Sequence, residues 1–355
     1  MTTAEATRSD VEAMARARVI VSAVRSSVRI RQLRVGLALT MALGVMFSVS
    51  VSIGDFSIPL LDVVPAMLGF GDEGSVFVVH ELRLPRALAG TLVGLAFGLS
   101  GAIFQSVARN ALASPDILGI TAGASTAAVL AILVGASFAA LALSAFGGAL
   151  VLSAAIYLLA YRKGVSSYRF VLVGIGLSSI AVALTSYLIT RADIYEAAEA
   201  NVWMIGSLNA VGWETIGPLT AVLALLAPLA LVLSGRLRAL QLNDDMARGL
   251  GVDVERSRLS LLGVGVALVG VGTAAAGPIA FVAFLAPPIA RRLARSPMTL
   301  VPAALVGALI VLSADLVGRW VFAPTEIPVG IFTGLCGAPY FLWLLARANK
   351  KGLGE

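Results

Sequence analysis

Charged residues, cysteine and histidine are all scarce in this chain of 355 residues. Only 13% of the residues are charged, against about 25% in soluble globular domains, and 59% are hydrophobic. This composition excludes a water-soluble fold, because too little polar surface is available to cover a body of this size. Cys336 is the single cysteine and His80 the single histidine, which excludes an internal disulfide, a multi-thiolate metal site and any motif that needs two histidines.

Groups that could carry catalysis or energy conversion are also missing. The pattern GxxxxGK[ST] does not occur, so the chain has no nucleotide site of the phosphate-loop kind. Inside the apolar stretches or at their edges, the only acid and base are Asp315 and Arg319, which are too few for a secondary transporter or an intramembrane protease. We therefore expect a protein that is not an enzyme and that binds no cofactor, no metal and no nucleic acid. Any energy that it uses must come from another chain.

Long apolar stretches predict the membrane topology, since a helix of about 20 apolar residues spans a bilayer core of ~30 Å. Eight stretches lack Asp, Glu, Lys and Arg, and two of them are too long for one span. These two break at Gly135-Ala136-Ser137 and at Gly277-Pro278. The sequence thus predicts an all-α membrane protein, a bundle of ten transmembrane helices within residues 35–347. The eight stretches are 35–54, 87–108, 117–161, 170–190, 215–235, 259–290, 296–314 and 327–346.

The distribution of Lys and Arg predicts the orientation. With the N-terminus inside, the inner segments hold 22 of these residues and the outer segments hold 4, as the positive-inside rule requires. Both termini are therefore expected in the cytoplasm, with residues 348–355 as a short tail. We interpret residues 1–34 as a basic cytoplasmic helix that lies against anionic membrane lipid. A signal peptide is the alternative, because an arginine-rich stretch precedes the apolar residues 35–50.

Two patterns inside the spans indicate how the helices pack. Gly90, Gly94 and Gly98 recur every four residues, which places them on one helix face and permits close approach of a neighbouring backbone. Asp315 and Arg319 are also four residues apart, so they can pair on one face of the ninth span.

The loop 236–258 is the longest inner connection between spans, and it is polar and basic. Asp244 stands where a short helix would start, and Gly249 and Gly251 stand where it would end. A short amphipathic helix on the inner face is suited to a groove on a soluble partner. A solvated connector without a partner is the alternative.

Six ordered motifs, spread over residues 35–347, resemble the FecCD family, the permease subunits of type II ABC importers for iron–siderophore complexes, haem and cobalamin. The chain departs from the family at Pro287-Pro288, where members usually have Pro-His. The motifs are Arg83-Leu-Pro-Arg86, Asn110-Ala-Leu-Ala-Ser-Pro-Asp-Ile-Leu-Gly119, Gly249-Leu-Gly-Val252, Gly277-Pro-Ile-Ala-Phe-Val-Ala-Phe284, Ala314-Asp-Leu-Val-Gly-Arg319, and Glu326-Ile-Pro-Val-Gly330 with Gly337-Ala-Pro-Tyr-Phe341.

The resemblance implies a permease subunit that moves an iron(III)–siderophore complex inward across a bacterial cytoplasmic membrane by alternating access. It also implies three kinds of partner: a second permease, identical or homologous, two ATPase subunits, and an extracytoplasmic substrate-binding protein. A cobalamin or haem importer is one alternative. A membrane docking or sensor subunit that translocates nothing is the other.

The resemblance assigns the loop 236–258 to coupling with the ATPase and the inner end of the fifth span to the pathway and its gate. Helix capping by the serines would also explain their position at that end. The implied coupling residues are Asp244, Arg248, Gly249, Leu250 and Gly251, and the implied gate residues are Ser166, Ser167, Tyr168 and Gly174.

Three outward arginines, Arg83, Arg86 and Arg319, match positions at which the family meets carboxylates of the binding protein. Unpaired arginines on an acidic outer surface suit an acidic partner, because a guanidinium group can bind a carboxylate through two hydrogen bonds. Contact with lipid headgroups, or local pairing such as Glu81 with Arg83, is the alternative.

Overall fold

The computed structural model describes residues 3–54, 59–162, 167–209, 211–321 and 325–352. Regular structure within these ranges is helical, and a π-helical turn at Val78–Arg83 leads into the fourth α-helix. The α-helices are α1 (Thr3–Ser52), α2 (Leu60–Met67), α3 (Glu73–Phe77), α4 (Leu84–Val107), α5 (Ile120–Leu133), α6 (Phe138–Ala160), α7 (Ser167–Arg191), α8 (Ile194–Ile205), α9 (Trp213–Val232), α10 (Ser234–Leu242), α11 (Asp244–Gly249), α12 (Val254–Ala276), α13 (Val282–Ala294), α14 (Leu300–Trp320) and α15 (Val329–Gly352).

The described helices include seven that are long and apolar enough to cross a membrane. They involve α1, α3 together with α4, α6, α7, α9, α12 and α14. The other three predicted spans correspond to the shorter helices α5 and α13 and to α15, whose apolar part covers Val329–Trp343. The all-helical membrane fold is therefore confirmed, whereas the count of ten spans and the cytoplasmic position of both termini stay predictions.

α5 and α13 are short because each follows a buried segment that is not helical. Ser114 and Leu118, before α5, are completely buried. Residues 277–281, before α13, contain the predicted break at Gly277, whose φ is +70°. The two segments meet where the carboxylate of Asp116 faces the backbone of Phe281. Irregular backbone is thus enclosed by protein, which is the arrangement that a lipid environment tolerates.

α1 continues without interruption over 50 residues, so the N-terminal part of the chain is helical and continuous with the first span. The predicted contact of residues 1–34 with anionic lipid stays a prediction. Gln32 fixes this part of α1 to the chain that follows α13: its side-chain amide donates hydrogen bonds to Ser296 Oγ at 2.9 Å and to the carbonyl oxygen of Met298 at 3.2 Å.

α4 packs against α14 through the predicted glycine face. A Cβ atom on Gly94 would lie 2.6 Å from the carbonyl oxygen of Gly307, and a Cβ atom on Gly98 would lie 2.9 Å from Cα of Ala304. Gly90 similarly faces leucine side chains. Any side chain at these glycines would force the helices apart, so the prediction of close packing is confirmed.

Candidate functional site

The inner loop 236–258 contains α10, α11 and the first turn of α12. The side chain of Asn243 accepts a hydrogen bond from the backbone N–H of Met246 at 2.7 Å, which caps the start of α11. Gly251 has a left-handed φ of +77°, and the N–H groups of Gly251 and Val252 close the end of α11 through hydrogen bonds of 2.9 and 3.0 Å. The structure therefore has the short helix that the sequence predicted here.

Three large apolar side chains on and beside α11 are exposed. Leu242, Met246 and Leu250 are 58%, 58% and 66% exposed, and they recur every four residues. Arg248, also exposed, pairs with Asp245 at 2.9 Å. Lipid does not explain this surface, because the loop is predicted to lie in the cytoplasm, and exposed large apolar side chains outside lipid favour a protein partner. The resemblance pointed to Leu250 alone. The four-residue spacing within α11 could have identified Met246, whereas Leu242 ends α10, before an extended residue.

Asp244 is engaged with its own chain. Its Oδ1 pairs with Arg109, just beyond α4, and its two carboxylate oxygens lie 3.1 and 3.2 Å from Nη2 of Arg258 in α12. Burial acts to raise the pKa of Asp244, but the guanidinium groups of Arg258 and Arg109 outweigh it and hold that pKa below its ordinary value. Asp244 therefore holds α11 in place and is not available as a free carboxylate for an ATPase.

Arg86, which is predicted to face outward, joins α4 to α14 and to the segment before α15. Its Nε and Nη2 donate hydrogen bonds to Asp315 Oδ1 at 3.0 and 2.9 Å, and its Nη1 donates to Glu326 at 2.8 Å. Asp315 is 2% exposed, whereas Glu326 is 42% exposed. One partner of Arg86 is thus sealed inside the protein, and the other lies at the surface.

The other two outward arginines are also used inside the chain. Nη1 of Arg83 donates to the carbonyl oxygens of Val51 and Ser52, both at 2.9 Å. Nη2 of Arg319 donates to Ser50 Oγ at 2.8 Å and lies 3.1 Å from Asp315 Oδ2. The predicted pairing of Asp315 with Arg319 is confirmed. The premise that these arginines are unpaired was wrong, because each of them has hydrogen-bond partners at the end of α1 or in nearby carboxylates.

The predicted gate residues do not share one environment. Ser166 lies outside the described residues, and Ser167 begins α7. Tyr168 is 76% exposed, whereas Gly174 is buried against Leu118, since a Cβ atom there would lie 2.9 Å from the Leu118 carbonyl oxygen. Gly174 therefore serves the packing of the buried segment before α5, and Tyr168 is the described residue of this group that a passage could use.

The exposed side of α7 carries hydroxyl residues that the resemblance did not identify, among large apolar side chains such as Leu172 and Ile180. Ser179, Ser186 and Thr190 lie on this side, and each hydroxyl donates to a carbonyl oxygen of its own helix at 2.8–3.0 Å. Because these hydroxyl groups are already satisfied, the surface offers few strong contacts to a passing ligand.

The pair Pro287-Pro288, where the family usually has Pro-His, lies inside α13. Pro288 has no N–H, so the carbonyl oxygen of Phe284, four residues earlier, lacks its helical donor. The side chain of Gln105, from α4, replaces that donor with a hydrogen bond of 3.0 Å. Oε1 of Gln105 in turn accepts a hydrogen bond from Arg291 at 2.7 Å. Gln105 thus compensates for the proline and joins α4 to α13.

This geometry defines a class of protein: a polytopic helical membrane protein that presents an exposed, capped helix in the loop 236–258. The chain belongs to the FecCD transport family, whose model matches residues 41–347. It is a transport component, a multi-pass protein of the bacterial inner membrane.

Known proteins with related sequences cover most of the chain. The ferric enterobactin transport system permease protein FepG of Escherichia coli K12 is 41% identical over 84% of this chain and 91% of its own length. The probable siderophore permease protein YfhA of Bacillus subtilis is 40% identical over 85% and 91% of the two chains. A solved metal-chelate type ABC transporter in an inward-facing conformation superposes with a TM-score of 0.79 at 30% identity, over 88% of this chain and 99% of that one.

Proposed function

We propose that this chain is the permease subunit of an ATP-driven importer and that it moves an iron(III)–siderophore complex inward by alternating access. The names of related permeases refer to ferric enterobactin, achromobactin, iron(3+)-hydroxamate and iron(3+)-citrate. These compounds bind iron through different chelating groups and share the ferric ion. The relatives therefore support a class of cargo and not one particular siderophore.

The observation that carries the assignment to an ATP-driven system is the exposed apolar edge of α11. Leu242, Met246 and Leu250, with Arg248 beside them, would bind a groove of the ATPase subunit. Two such subunits would hydrolyse the ATP, since this chain has no phosphate-loop motif. Gly249 and Gly251 would set the shape of the coupling helix, and Asp244 would hold it against the membrane domain.

The exposed side of α7 is the best-supported wall of the translocation pathway, which would lie between this chain and a second permease. Gly176 and Ser179 are exposed there, and the hydroxyl groups on this side are satisfied within the helix. A passage for a bulky chelate needs such a surface, because strong contacts would retain the cargo. Tyr168, at the inner end of α7, would contribute to the cytoplasmic gate together with Ser166 and Ser167.

Arg86 is the best-supported docking residue for the substrate-binding protein. Its partner Glu326 is at the surface, so a carboxylate of the binding protein could replace Glu326 while Asp315 keeps its own contact. The contacts of Arg83 and Arg319 hold the end of α1. Arg83 and Arg319 would therefore stabilise the docking surface without contacting the binding protein.

The test is import into proteoliposomes that contain the permease, its ATPase subunits and its binding protein. The probes are ⁵⁵Fe-labelled ferric enterobactin, ferrichrome and ferric citrate, with labelled cobalamin and haemin as competing classes. Accumulation of one ferric chelate with ATP, and none with a non-hydrolysable analogue, is the expected result. Import of only cobalamin or haemin would show that the cargo is not a ferric siderophore. Stable docking of the binding protein without import of any probe would favour a docking or sensor subunit.

A further inference from the structure

Arg109 has an unusual backbone conformation for an arginine. It follows α4 with a left-handed φ of +50°. The N–H of Arg109 donates to the carbonyl oxygen of Ser106 at 3.2 Å, and the N–H of Asn110 donates to Gln105 at 3.1 Å. This pattern ends many helices, and the left-handed position is usually a glycine because a Cβ atom is sterically unfavourable there. Arginine at this position therefore has a backbone cost that glycine would avoid.

The side chain of Arg109 forms an ion pair that joins two distant parts of the chain. Its partner is Asp244, the first residue of α11, which is 135 positions away in sequence. Each group also has a favourable place on its own helix, because a cation suits the C-terminal end of α4 and a carboxylate suits the first turn of α11. The pair thus links the inner end of one helix to the start of the other.

Arg258 keeps the carboxylate of Asp244 in a fixed position. Arg258 belongs to α12 and its side chain is only 6% exposed, whereas Arg109 and Asp244 are 37% and 34% exposed. An exposed ion pair alone stabilises little. A carboxylate that also compensates a buried guanidinium group is expensive to displace, because its departure would remove the nearer of two carboxylates that pair with Arg258, the other being Glu255 at 3.7 Å.

α4 is the helix that a displacement of α11 would reach through this pair. It is a buried helix of 24 residues that packs against α12, α13 and α14. At its outer end Arg86 connects it to Asp315 and Glu326, and just beyond its inner end Arg109 connects it to α11. One rigid element therefore extends from the outer ion cluster to the exposed inner loop.

We propose that the ion pair between Arg109 and Asp244 is a positioning contact that transmits movement of α11 to α4 during transport. This inference depends on the proposed function, because it takes α11 as the segment that the ATPase subunit moves. Arg109 and Asp244 need touch neither ATP nor cargo. Their role is to make α11 and α4 move together, so that ATP hydrolysis is coupled to import.

The test compares Arg109→Gly with a closely matched control, Arg295→Gly, in the complete importer. Arg295 is also an exposed arginine at a helix end with a left-handed φ of +46°, and in the described part of the chain it has no ion pair. Both variants relieve the same backbone strain, and only Arg109→Gly removes the link to α11. Asp244→Asn and Arg109→Lys complete the set, since the first weakens the pair from its other end and the second keeps the charge.

Import per ATP hydrolysed should fall roughly tenfold or more in Arg109→Gly and Asp244→Asn, a typical size for coupling between sites. Arg295→Gly should match the wild type, and Arg109→Lys should recover most of the loss. Hydrogen exchange gives a readout that needs no cargo. A non-hydrolysable ATP analogue should change exchange in residues 244–249 and 104–109 of the wild type, and only in 244–249 of Arg109→Gly.

Unchanged import per ATP in Arg109→Gly, together with a wild-type exchange response at 104–109, would overturn the inference and leave the proposed function intact. Failure of Arg109→Gly alone to assemble would also overturn it, because the pair would then be a folding contact. If the wild type imports no ferric chelate but the exchange response still passes from 244–249 to 104–109 and is lost in Arg109→Gly, the proposed cargo is wrong and the inference stands.

Discussion

Arg86 of α4 donates two hydrogen bonds, of 3.0 and 2.9 Å, to a single carboxylate oxygen of Asp315 in α14. The second oxygen of Asp315 lies 3.1 Å from Nη2 of Arg319. Asp315 is thus the shared anion of two guanidinium groups that are 12% and 9% exposed. With the surface carboxylate of Glu326, the cluster balances two cations with two anions.

Asp315→Asn should strongly destabilise the outer ends of α4 and α14. The substitution keeps the shape and removes the charge that two nearly buried cations need, so the expected loss is about 3–5 kcal/mol of unfolding free energy. Glu326→Gln is the control, because this surface partner should contribute at most about 1 kcal/mol. Thermal unfolding of the purified permease in detergent measures both. Similar melting temperatures for Asp315→Asn and the wild type would mean that packing alone holds this end of the bundle.

Glu326→Gln should strengthen binding of the substrate-binding protein. The neutral amide competes less for Nη1 of Arg86, which leaves that donor for a carboxylate of the partner. We expect the dissociation constant at low salt to fall several-fold, and added salt to reduce the difference. Glu214→Gln, at another exposed acidic residue of the predicted outer surface, should change affinity much less. Weaker docking of Glu326→Gln would show that Glu326 itself faces the partner.

Gln105→Leu should destabilise the contact between α4 and α13. It leaves the Phe284 carbonyl oxygen without a donor and Arg291 without its acceptor, at a cost of about 1–3 kcal/mol for each buried unsatisfied group. Pro288→Ala restores a backbone N–H that can donate to Phe284. The double variant should therefore lose less stability than the sum of the two single losses, and thermal unfolding of all four proteins measures that coupling. Simple additivity would mean that Gln105 does not compensate for the proline.

Local patterns made the short helix α11 and the pair of Asp315 with Arg319 predictable. Both depend on residues within a few positions of each other: a cap and a glycine in the first case, a four-residue spacing in the second. The glycine face of α4 was predictable for the same reason. A single helix determines which of its residues share a face, so no tertiary information was needed.

Contacts between distant segments could not be predicted in this way. Arg86 and Asp315 are 229 positions apart, and Arg109 and Asp244 are 135 apart. Arg83 and Arg86 looked unpaired in sequence because their carbonyl and carboxylate partners come from distant parts of the chain. The short length of α5 and α13 could not be predicted, because hydropathy alone does not show that irregular backbone precedes each helix.

Gly249 and Gly251 looked equivalent in sequence, but their backbone conformations differ in the structure. Gly249 is the last residue of α11, and its backbone is not left-handed, whereas Gly251 has a φ of +77°. A Cβ atom at either position would meet nothing within 4 Å, so neither is needed for close packing. Any difference between substitutions at the two positions must therefore come from the backbone or from a partner protein.

Gly251→Val should disturb α11, and Gly249→Val should not. The left-handed conformation at 251 costs a non-glycine residue about 1–2 kcal/mol, whereas glycine in a helix is about 1 kcal/mol poorer than alanine, so a side chain at 249 is tolerated. Hydrogen exchange of residues 244–249 in the isolated permease should speed up in Gly251→Val and stay at the wild-type rate in Gly249→Val. Equal exchange in both variants would contradict the role of the left-handed turn. If Gly249→Val keeps α11 intact but lowers ATPase binding to the permease, Gly249 itself lies in the contact with the ATPase, and the coupling surface extends beyond Leu242, Met246 and Leu250.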